Sequence, residues 1–494
     1  NTGDIMKKNS IWTDGIKDVR MDSLKENIDC DILVIGGGIA GLSTVYNLKD
    51  TGKRIVLIDK NKCGMGATSC NTGKLTFMQD LVYHDIESNY NEKVARLYLN
   101  SQKTAIKIIT SIIKKEKIDC DLTKTNAYVF SNDEDKYKNF DKEIEFYKKN
   151  NIKYKVLSSL PLNYPSKMVL ETYDSYVFNP YKYLIGIKRI VKDKISIYEN
   201  TRVIRLDKKN DYYLCTTSDN YEIKSKVVVV ASHYPFFIVP YFTPFKTRVE
   251  KFFIGASSSN DSKNIQVISN DKPGISMRYY KKNNNNYLLY GRRSHPTSSN
   301  LDIKDDYNEL NSEYKKYFNK DIEYFYHTHD VMTYDNMPFI GKVDNNLYIM
   351  TGFNKWGNTN GVIGGKLISD LIVGKHNDYE KIFTPRRSMS KDKIKNLLVF
   401  NTSVISRYIM NKINPHMKYY NDNVEIKFID GKRCGIYTDD NGNKHIVSNI
   451  CPHMKCNLVF NYIDKTWDCP CHASRFDIDG NIIYGPSVYD IKIK

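Results

Sequence analysis

No apolar run in this chain approaches the ~20 residues that a helix needs to cross a bilayer. The opening residues, NTGDIMKKNSIW, also lack the apolar core of a signal peptide. The expectation is therefore a soluble, cytoplasmic protein with no membrane span. Acids are outnumbered, 57 against 74 Lys and Arg, for a net charge of +17. Such an excess suits nucleic acid or an anionic membrane. Here the lysines are dispersed among many Asn, Ile and Tyr, and no nucleic-acid motif accompanies them. The excess reads as solvated surface that favours an acidic redox partner. Internal repeats and low-complexity tracts are missing too, apart from Asn283–Asn286, read as a loop. With 494 residues, the chain has room for two or three domains, each with its own core.

Histidine and cysteine are scarce, ten of each, so the place where they gather is informative. Cys451-Pro-His453 and Cys469-Pro-Cys471-His472 stand fifteen residues apart. Each half offers one thiolate and one imidazole. Thiolates suit iron, and imidazoles on a second iron leave it less negative, which raises the reduction potential. Tetrahedral zinc is the competing reading, but zinc fingers usually put the Cys pair in one half and the His pair in the other. The pattern resembles the Rieske 2Fe–2S domain, with Cys451 to Cys456 as its first box and Cys469 to Ser474 as its second. Gly485-Pro486 falls where such domains carry a loop over the cluster. The resemblance implies Cys451 and Cys469 on one iron and His453 and His472 on the other. It also implies a disulfide between Cys456 and Cys471. Phe476 stands where many high-potential members have Tyr, so one hydroxyl donor to a cysteine sulfur is lost while Ser474 keeps its own, which argues for a lower potential. No motif for a mononuclear iron held by two His and a carboxylate is found, which excludes the oxygenase branch. His327 and His329, at i,i+2 on a strand, read as solvent-facing rather than metal-binding.

The other end of the chain carries an independent signal. Asp31 to Ile35 is an apolar run of buried-strand type, followed directly by Gly36-Gly-Gly38-Ile39-Ala40-Gly41 and a helical stretch through Leu48. A second apolar run, Ile55 to Ile58, ends in Asp59, eighteen residues past Gly41. In this βαβ setting Gly36 allows a tight turn, Gly38 lets the backbone approach a pyrophosphate, and Gly41 lets helix and strand pack closely. The helix N-terminus offers free N–H groups to phosphates, and Asp59 can accept from ribose hydroxyls.

Lys60 to Thr76 is too rich in Gly, Ser, Thr and Asn for a routine helix. Together with the strand–turn–helix before it, this stretch is similar to the D-amino-acid oxidase, glycine oxidase and sarcosine oxidase superfamily of FAD enzymes, a resemblance that covers roughly residues 30–375. Lys60 to Thr76 matches the segment that wraps the pyrophosphate and flavin, and implies contacts from Lys60, Gly66, Ala67, Thr68, Ser69, Thr72, Lys74, Leu75 and Thr76. Val203 would lie beside the adenine, and Ala231 would end the returning strand beneath the cofactor. Asn336 to Gly341 with Leu347 to Asn360 matches the C-terminal flavin motif, implying Gly352, Asn354, Trp356, Gly357, Asn358 and Thr359 near the flavin. Cys70 falls where some relatives bond covalently to flavin, although most members hold FAD without such a link. Members often pair a cap-sheet arginine with a substrate carboxylate, so Arg278, Arg248, Arg292 and Arg293 are candidate binders.

The expected architecture is an α/β Rossmann-like FAD domain with an interleaved antiparallel-sheet cap, plus a small all-β C-terminal Rieske domain. Its boundaries are an N-terminal extension at 1–27, a discontinuous FAD domain at 28–120, 195–235 and 336–385, a cap at 121–194 and 236–335, a helical linker at 386–419, and the Rieske domain at 420–494. The expected function is an FAD-dependent dehydrogenase that oxidises a small amine or amino acid and passes electrons singly through the 2Fe–2S cluster to an external acceptor or redox protein. The alternative is a flavin/Rieske electron-transfer protein or reductase serving a partner, with no small amine substrate.

Overall fold

The structure, a computed structural model, describes residues 10–236, 246–297, 303–387, 402 and 423–493. The apolar run beginning at Asp31 lies in the strand Ile28–Ile35, which pairs in parallel with Ile55–Ile58 on one side and Glu222–Val230 on the other. These β-branched runs occupy the middle of a sheet ordered Phe339–Asp344, Leu347–Thr351, Glu222–Val230, Ile28–Ile35, Ile55–Ile58, Ser196–Tyr198. Two antiparallel strands, Val203–Lys208 and Tyr213–Thr217, extend it from Glu222–Val230. In Ile28–Ile35 and Glu222–Val230 only the C-terminal ends, Ile32 to Ile35 and Val228 to Val230, are buried on both faces and lose polar alternation; the first half of Glu222–Val230 still alternates.

The helix Ile39–Leu48 packs against Gly357–Ile372, and glycine makes the approach possible. A Cβ on Gly365 would lie 2.7 Å from the Ser43 Cβ, and one on Gly41 would lie 1.9 Å from the Gly36 carbonyl oxygen. A long amphipathic helix spans Glu92–Lys115. Asn91 caps its start by accepting from the Val94 N–H, and Lys114 and Lys115 complement the dipole at its end.

A nine-stranded sheet forms the cap, ordered Tyr324–Thr333, Thr247–Ser259, Asn285–Pro296, Ser276–Lys282, Ile265–Ser269, Thr123–Ser131, Met168–Val177, Lys74–Leu75, with Tyr154–Leu157 beside Met168–Val177. Three details depart from the expected boundaries. Lys74–Leu75 pairs with Tyr176 and Val177, so the chain enters the cap sheet before leaving the flavin-wrapping segment. The helix Pro180–Val191 packs on Ile39–Leu48, in the core of the FAD domain rather than the cap. The N-terminal extension is also integrated: Trp12 is fully buried, donates to the Asn71 carbonyl at 2.6 Å and meets the Tyr280 ring edge-on at 4.7 Å. The expected loop at Asn283–Asn286 narrows to a tight hairpin in which Asn283 and Asn284 take positive φ.

The C-terminal module is all-β. A three-stranded sheet (Val424–Ile429, Lys432–Thr438, Lys444–Ser448) faces a four-stranded one (Val459–Asn461, Thr466–Asp468, Arg475–Asp477, Ile482–Tyr484). Trp467 fills the core between them, against Phe460 and the Cβ-less face of Gly435. The segment expected as a helical linker lies outside the described residues except for Arg386, Arg387 and Thr402. Across the domain boundary, the His327 Nε2 lies 2.8 Å from the Asp464 carboxylate, and Arg202 pairs with Asp490 at 2.8 Å. Thr297 donates to the Pro470 carbonyl at 3.3 Å, and Ala473 joins the apolar cluster of Val249, Val331 and Val230.

Candidate active site

The turn after Ile35 is held by its own backbone. The Gly36 N–H donates to the Ile58 carbonyl at 2.8 Å, and the Gly37 N–H donates to Asp59 at 2.7 Å. Asn61 N–H reaches the other Asp59 oxygen at 2.8 Å. Burial pushes the Asp59 carboxyl up, while these two donors pull it down. The helix Ile39–Leu48 starts at Gly38 with no side-chain cap, so its first N–H groups remain largely available; Thr68 Oγ1 accepts one, from Ile39, at 3.2 Å.

The glycines here fall into two groups. A Cβ on Gly36 would meet the Ala231 carbonyl oxygen at 2.5 Å, so protein packing itself demands glycine there and at Gly41. A Cβ on Gly38 would come no nearer than 3.5 Å to any protein atom, and one on Gly357 no nearer than 3.7 Å; Gly66 faces open space. Those three glycines line a cavity of about 320 Å³. Side chains there would fill ligand space rather than clash with protein, which is the geometry an FAD cradle requires. Ile39, Ala40, Asp59, Lys60, Ala67, Thr68, Val203, Ala231, Asn354 and Asn358 also line it. Lys60 is pushed down to about 8 by burial.

The remaining expected flavin residues do not line the cavity: Gly41, Ser69, Thr72, Lys74, Leu75, Thr76, Gly352, Trp356 and Thr359. Lys74 is buried and donates to the Val267 carbonyl and Ser276 Oγ, each at 2.6 Å. Thr359 accepts from Gln79 at 3.1 Å, and Thr76 accepts from Ser175 at 2.9 Å. Gly352 turns the chain at φ +73 just before the helix Gly357–Ile372, whose first turn likewise has no side-chain cap.

Two loops of the C-terminal module bring Cys451, His453, Cys469 and His472 together. The His453 and His472 rings lie 5.1 Å apart, and both Nδ1 atoms are buried without a hydrogen-bond partner. Burial holds both imidazoles in the neutral form, the ligand-competent one, with His472 down at about 3. The Cys451 and Cys469 sulfurs share one hydrogen bond, which lowers Cys451 to about 7 and raises Cys469. Cys456 and Cys471 form a disulfide between the loops, so the Cys469 sulfur, although close to both, has only Cys451 as a thiol partner. Two thiols and two orphaned imidazoles, paired by type, fit a Rieske cluster: Cys451 and Cys469 would hold one iron, and His453 and His472 the other. Ser474 supplies a hydrogen bond to Cys451, and Gly485 abuts the Ser474 backbone so closely that a Cβ would lie 2.4 Å from its Cα.

Both centres open onto the same cavity. His472, Arg475, Tyr484, Gly485 and Pro486 line it from the C-terminal module, opposite the dinucleotide loops. Sequence reasoning missed much of the wall between them. His327 and His329 are not solvent-facing: their side chains line the cavity, the His327 side chain is only 5% exposed, and His329 stacks on Tyr484 at 5.0 Å. Their i,i+2 spacing did mark a shared face, but only the docked module decides that this face is covered.

The arginine expectation requires correction. Arg278 is buried away from the cavity, and its guanidinium donates to the carbonyls of Thr72, Gly73, Phe178 and Tyr279. Arg248 is held by Glu250 at 2.6 Å and Arg292 by Glu313 at 3.0 Å, and neither lines the cavity. The Arg293 side chain lies outside the described residues.

A dinucleotide cradle under an antiparallel cap, joined through one cavity to a two-Cys, two-His centre, defines a flavoprotein oxidoreductase with an iron–sulfur module. The chain belongs to the FAD dependent oxidoreductase family, whose model matches residues 31–371, and a Rieske [2Fe-2S] domain matches residues 413–493. Its cofactors are FAD and a 2Fe–2S cluster. It is 30% identical over 480 residues, 95% of this chain and 94% of the relative, to YhfW of Bacillus subtilis (strain 168), whose name places it among Rieske 2Fe–2S iron–sulfur proteins. Gamma-glutamylputrescine oxidoreductase of Escherichia coli (strain K12) is 25% identical over 377 residues, 72% of this chain and 86% of that protein. Glycine oxidase from Geobacillus kaustophilus shares the fold at a TM-score of 0.60 and 16% identity, covering 73% of this chain and 100% of that one. Among the described residues no helix is long and apolar enough to cross a membrane.

Proposed function

We propose that this protein is a dehydrogenase acting on a C–N bond of a small amine-type substrate, with the electrons leaving one at a time through its own Rieske cluster to an external one-electron acceptor. FAD supplies two-electron hydride chemistry when bound, and the 2Fe–2S cluster supplies single-electron transfer. The substrate would lose two electrons and two protons to become an imine, and the acceptor, used twice, would take both electrons. The observation that carries this reading is that His472 and the Gly485-Pro486 loop line the same cavity as the dinucleotide loops. A shared cavity favours transfer within one chain over a shuttle between separate surfaces. Support for the substrate class comes from the name of the Escherichia coli relative, gamma-glutamylputrescine oxidoreductase. The residues of this chain would orient substrate between the cap strand Tyr324–Thr333 and the turn at Gly352, and would exclude water by covering the site with Tyr484 and Pro486.

The test is anaerobic rapid mixing with a panel of amines and amino acids. Flavin bleaching followed by growth of the reduced-cluster EPR signal is expected from at least one amine. Bleaching with the cluster left oxidised in every case would end the internal relay. A panel that never bleaches the flavin, while an external reductant still fills both centres, would favour the electron-transfer alternative.

A further inference from the structure

We propose that Asp330 is the recognition residue for a protonated nitrogen of the substrate, and hence that the substrate is a cationic amine. This deepens the C–N reading above and rests on it. Asp330 lies on the strand Tyr324–Thr333, directly opposite Glu250 across the antiparallel pair, so both acids share one face of the cap sheet. Their fates differ. Glu250 is saturated: Arg248 donates to it at 2.6 Å, Lys355 pairs with it at 2.9 Å and Ser294 donates at 2.8 Å. Asp330 lines the cavity and has no hydrogen bond or ion pair to its side chain among the described residues.

All but one of the cations around the cavity are already matched; Lys60, the exception among the described residues, lies with its Nζ 5.4 Å from the Tyr484 ring. Lys355 is held by Glu250 and Ser294, Arg475 by Asp464 and Asp468, and Arg202 by Asp490. Among the described residues no guanidinium on the wall is unmatched, and one carboxyl, that of Asp330, is left to receive a cation. Burial drives that carboxyl up to about 7, with Lys355 pulling it down and Glu250 pushing it up. A group in that condition lacks a countercharge, and an ammonium would supply it. Phe353, also on the wall, offers a ring face of the kind that stabilises alkylammonium.

The experiment uses the holoprotein and two redox-inert probes of similar size, tetramethylammonium and acetate, titrated by perturbation of the flavin spectrum. Wild type should bind tetramethylammonium more tightly than acetate. Asp330→Asn should weaken tetramethylammonium by roughly tenfold or more, the weight of one charge-assisted contact, while Asp330→Glu retains it. The proposal is overturned if acetate binds wild type more tightly than tetramethylammonium, if neither probe binds, or if Asp330→Asn leaves the ammonium affinity unchanged. Should Asp330→Asn lose its flavin, the wild-type comparison of the two probes still decides. Failure here is separable from failure of the C–N reading. Amino acids that bleach wild type and Asp330→Asn alike sink the Asp330 assignment and leave C–N oxidation standing. Tetramethylammonium binding that depends on Asp330, in a protein whose flavin no amine bleaches, keeps the site and removes the oxidation.

Discussion

Single side chains decide which cofactor this protein keeps. His472→Ala should abolish the Rieske-type EPR signal and leave the flavin spectrum in place, because the cluster loops share no ligand with the dinucleotide cradle. Iron and acid-labile sulfide, each titrating to about two per chain in the parent protein, would fall together in that variant. Ser474 tunes rather than holds. Its hydroxyl bonds to Cys451 and accepts from the Ser487 N–H at 3.1 Å. Hydrogen bonds to the sulfurs favour the reduced cluster, so Ser474→Ala should lower the midpoint potential by roughly 60–120 mV, the equivalent of about 1.4–2.8 kcal/mol for a one-electron couple. A potentiometric titration followed by EPR measures it, and an unchanged potential would show that the hydroxyl serves the fold alone. Phe476 is fully buried and brings no hydroxyl of its own, so Ser474 has no substitute at that position.

At the scale of elements, the strand–turn–helix at Ile28–Leu48 separates packing from binding. Gly41→Val places a side chain within 1.9 Å of the Gly36 carbonyl oxygen and must displace the helix, so both thermal stability and flavin content should fall. Gly38→Ala places its Cβ no closer than 3.5 Å to the protein atoms around it. It should therefore leave the apoprotein's stability within about 0.5 kcal/mol of the parent while FAD affinity drops sharply. Comparing apoprotein melting with flavin titration for the two variants checks the distinction; equal losses in both would mean that Gly38 is a packing residue after all. The end of the same domain is tied down by Arg387, which grips the Asp335 carboxylate at 2.7 and 2.9 Å and also donates to the Met337 and Pro338 carbonyls. Arg387→Ala leaves the buried Asp335 carboxylate with the Tyr90 hydroxyl and Met337 N–H as donors but without its cation, which should cost about 3–5 kcal/mol in denaturant unfolding.

For the whole molecule, the decisive feature is the seat of the C-terminal module on the flavoprotein. It is held by the His327 and Asp464 contact, by the Arg202 and Asp490 pair and by a small apolar patch. Burial depresses His233 to about 4 and lowers His327 and His329 as well. Each is therefore neutral when folded but would protonate near its ordinary value when exposed. The stability they contribute is complete above about pH 6.5 and is lost progressively as pH falls toward 4. Melting temperature should thus decline over that window, and a flat profile between pH 7 and 5 would contradict the buried-neutral assignment. Asp464→Asn, which weakens the grip of both His327 and Arg475, should slow cluster reduction after flavin reduction without removing either cofactor's spectrum.

Much of this was legible in the chain because the two cofactor motifs are local. A glycine-rich turn between strand and helix, or Cys and His at fixed short spacing, needs only a few neighbouring residues to set its geometry. The strands at Ile28–Ile35 and Ile55–Ile58 and the disulfide partners Cys456 and Cys471 followed from those motifs and the resemblances they carry. Residues far apart in the chain answer to a different rule. His327 meets Asp464 across 137 positions, and Arg278 finds the Gly73 carbonyl across 205. Whether an arginine faces ligand or is consumed by carbonyls, and whether a histidine faces solvent or a covered cavity, depends on what the rest of the fold brings against it. Asp330 is the clearest case. Its place in the chain shows only an acid on a strand; its lack of a partner arises because Arg248, Lys355 and Ser294 converge on Glu250 beside it.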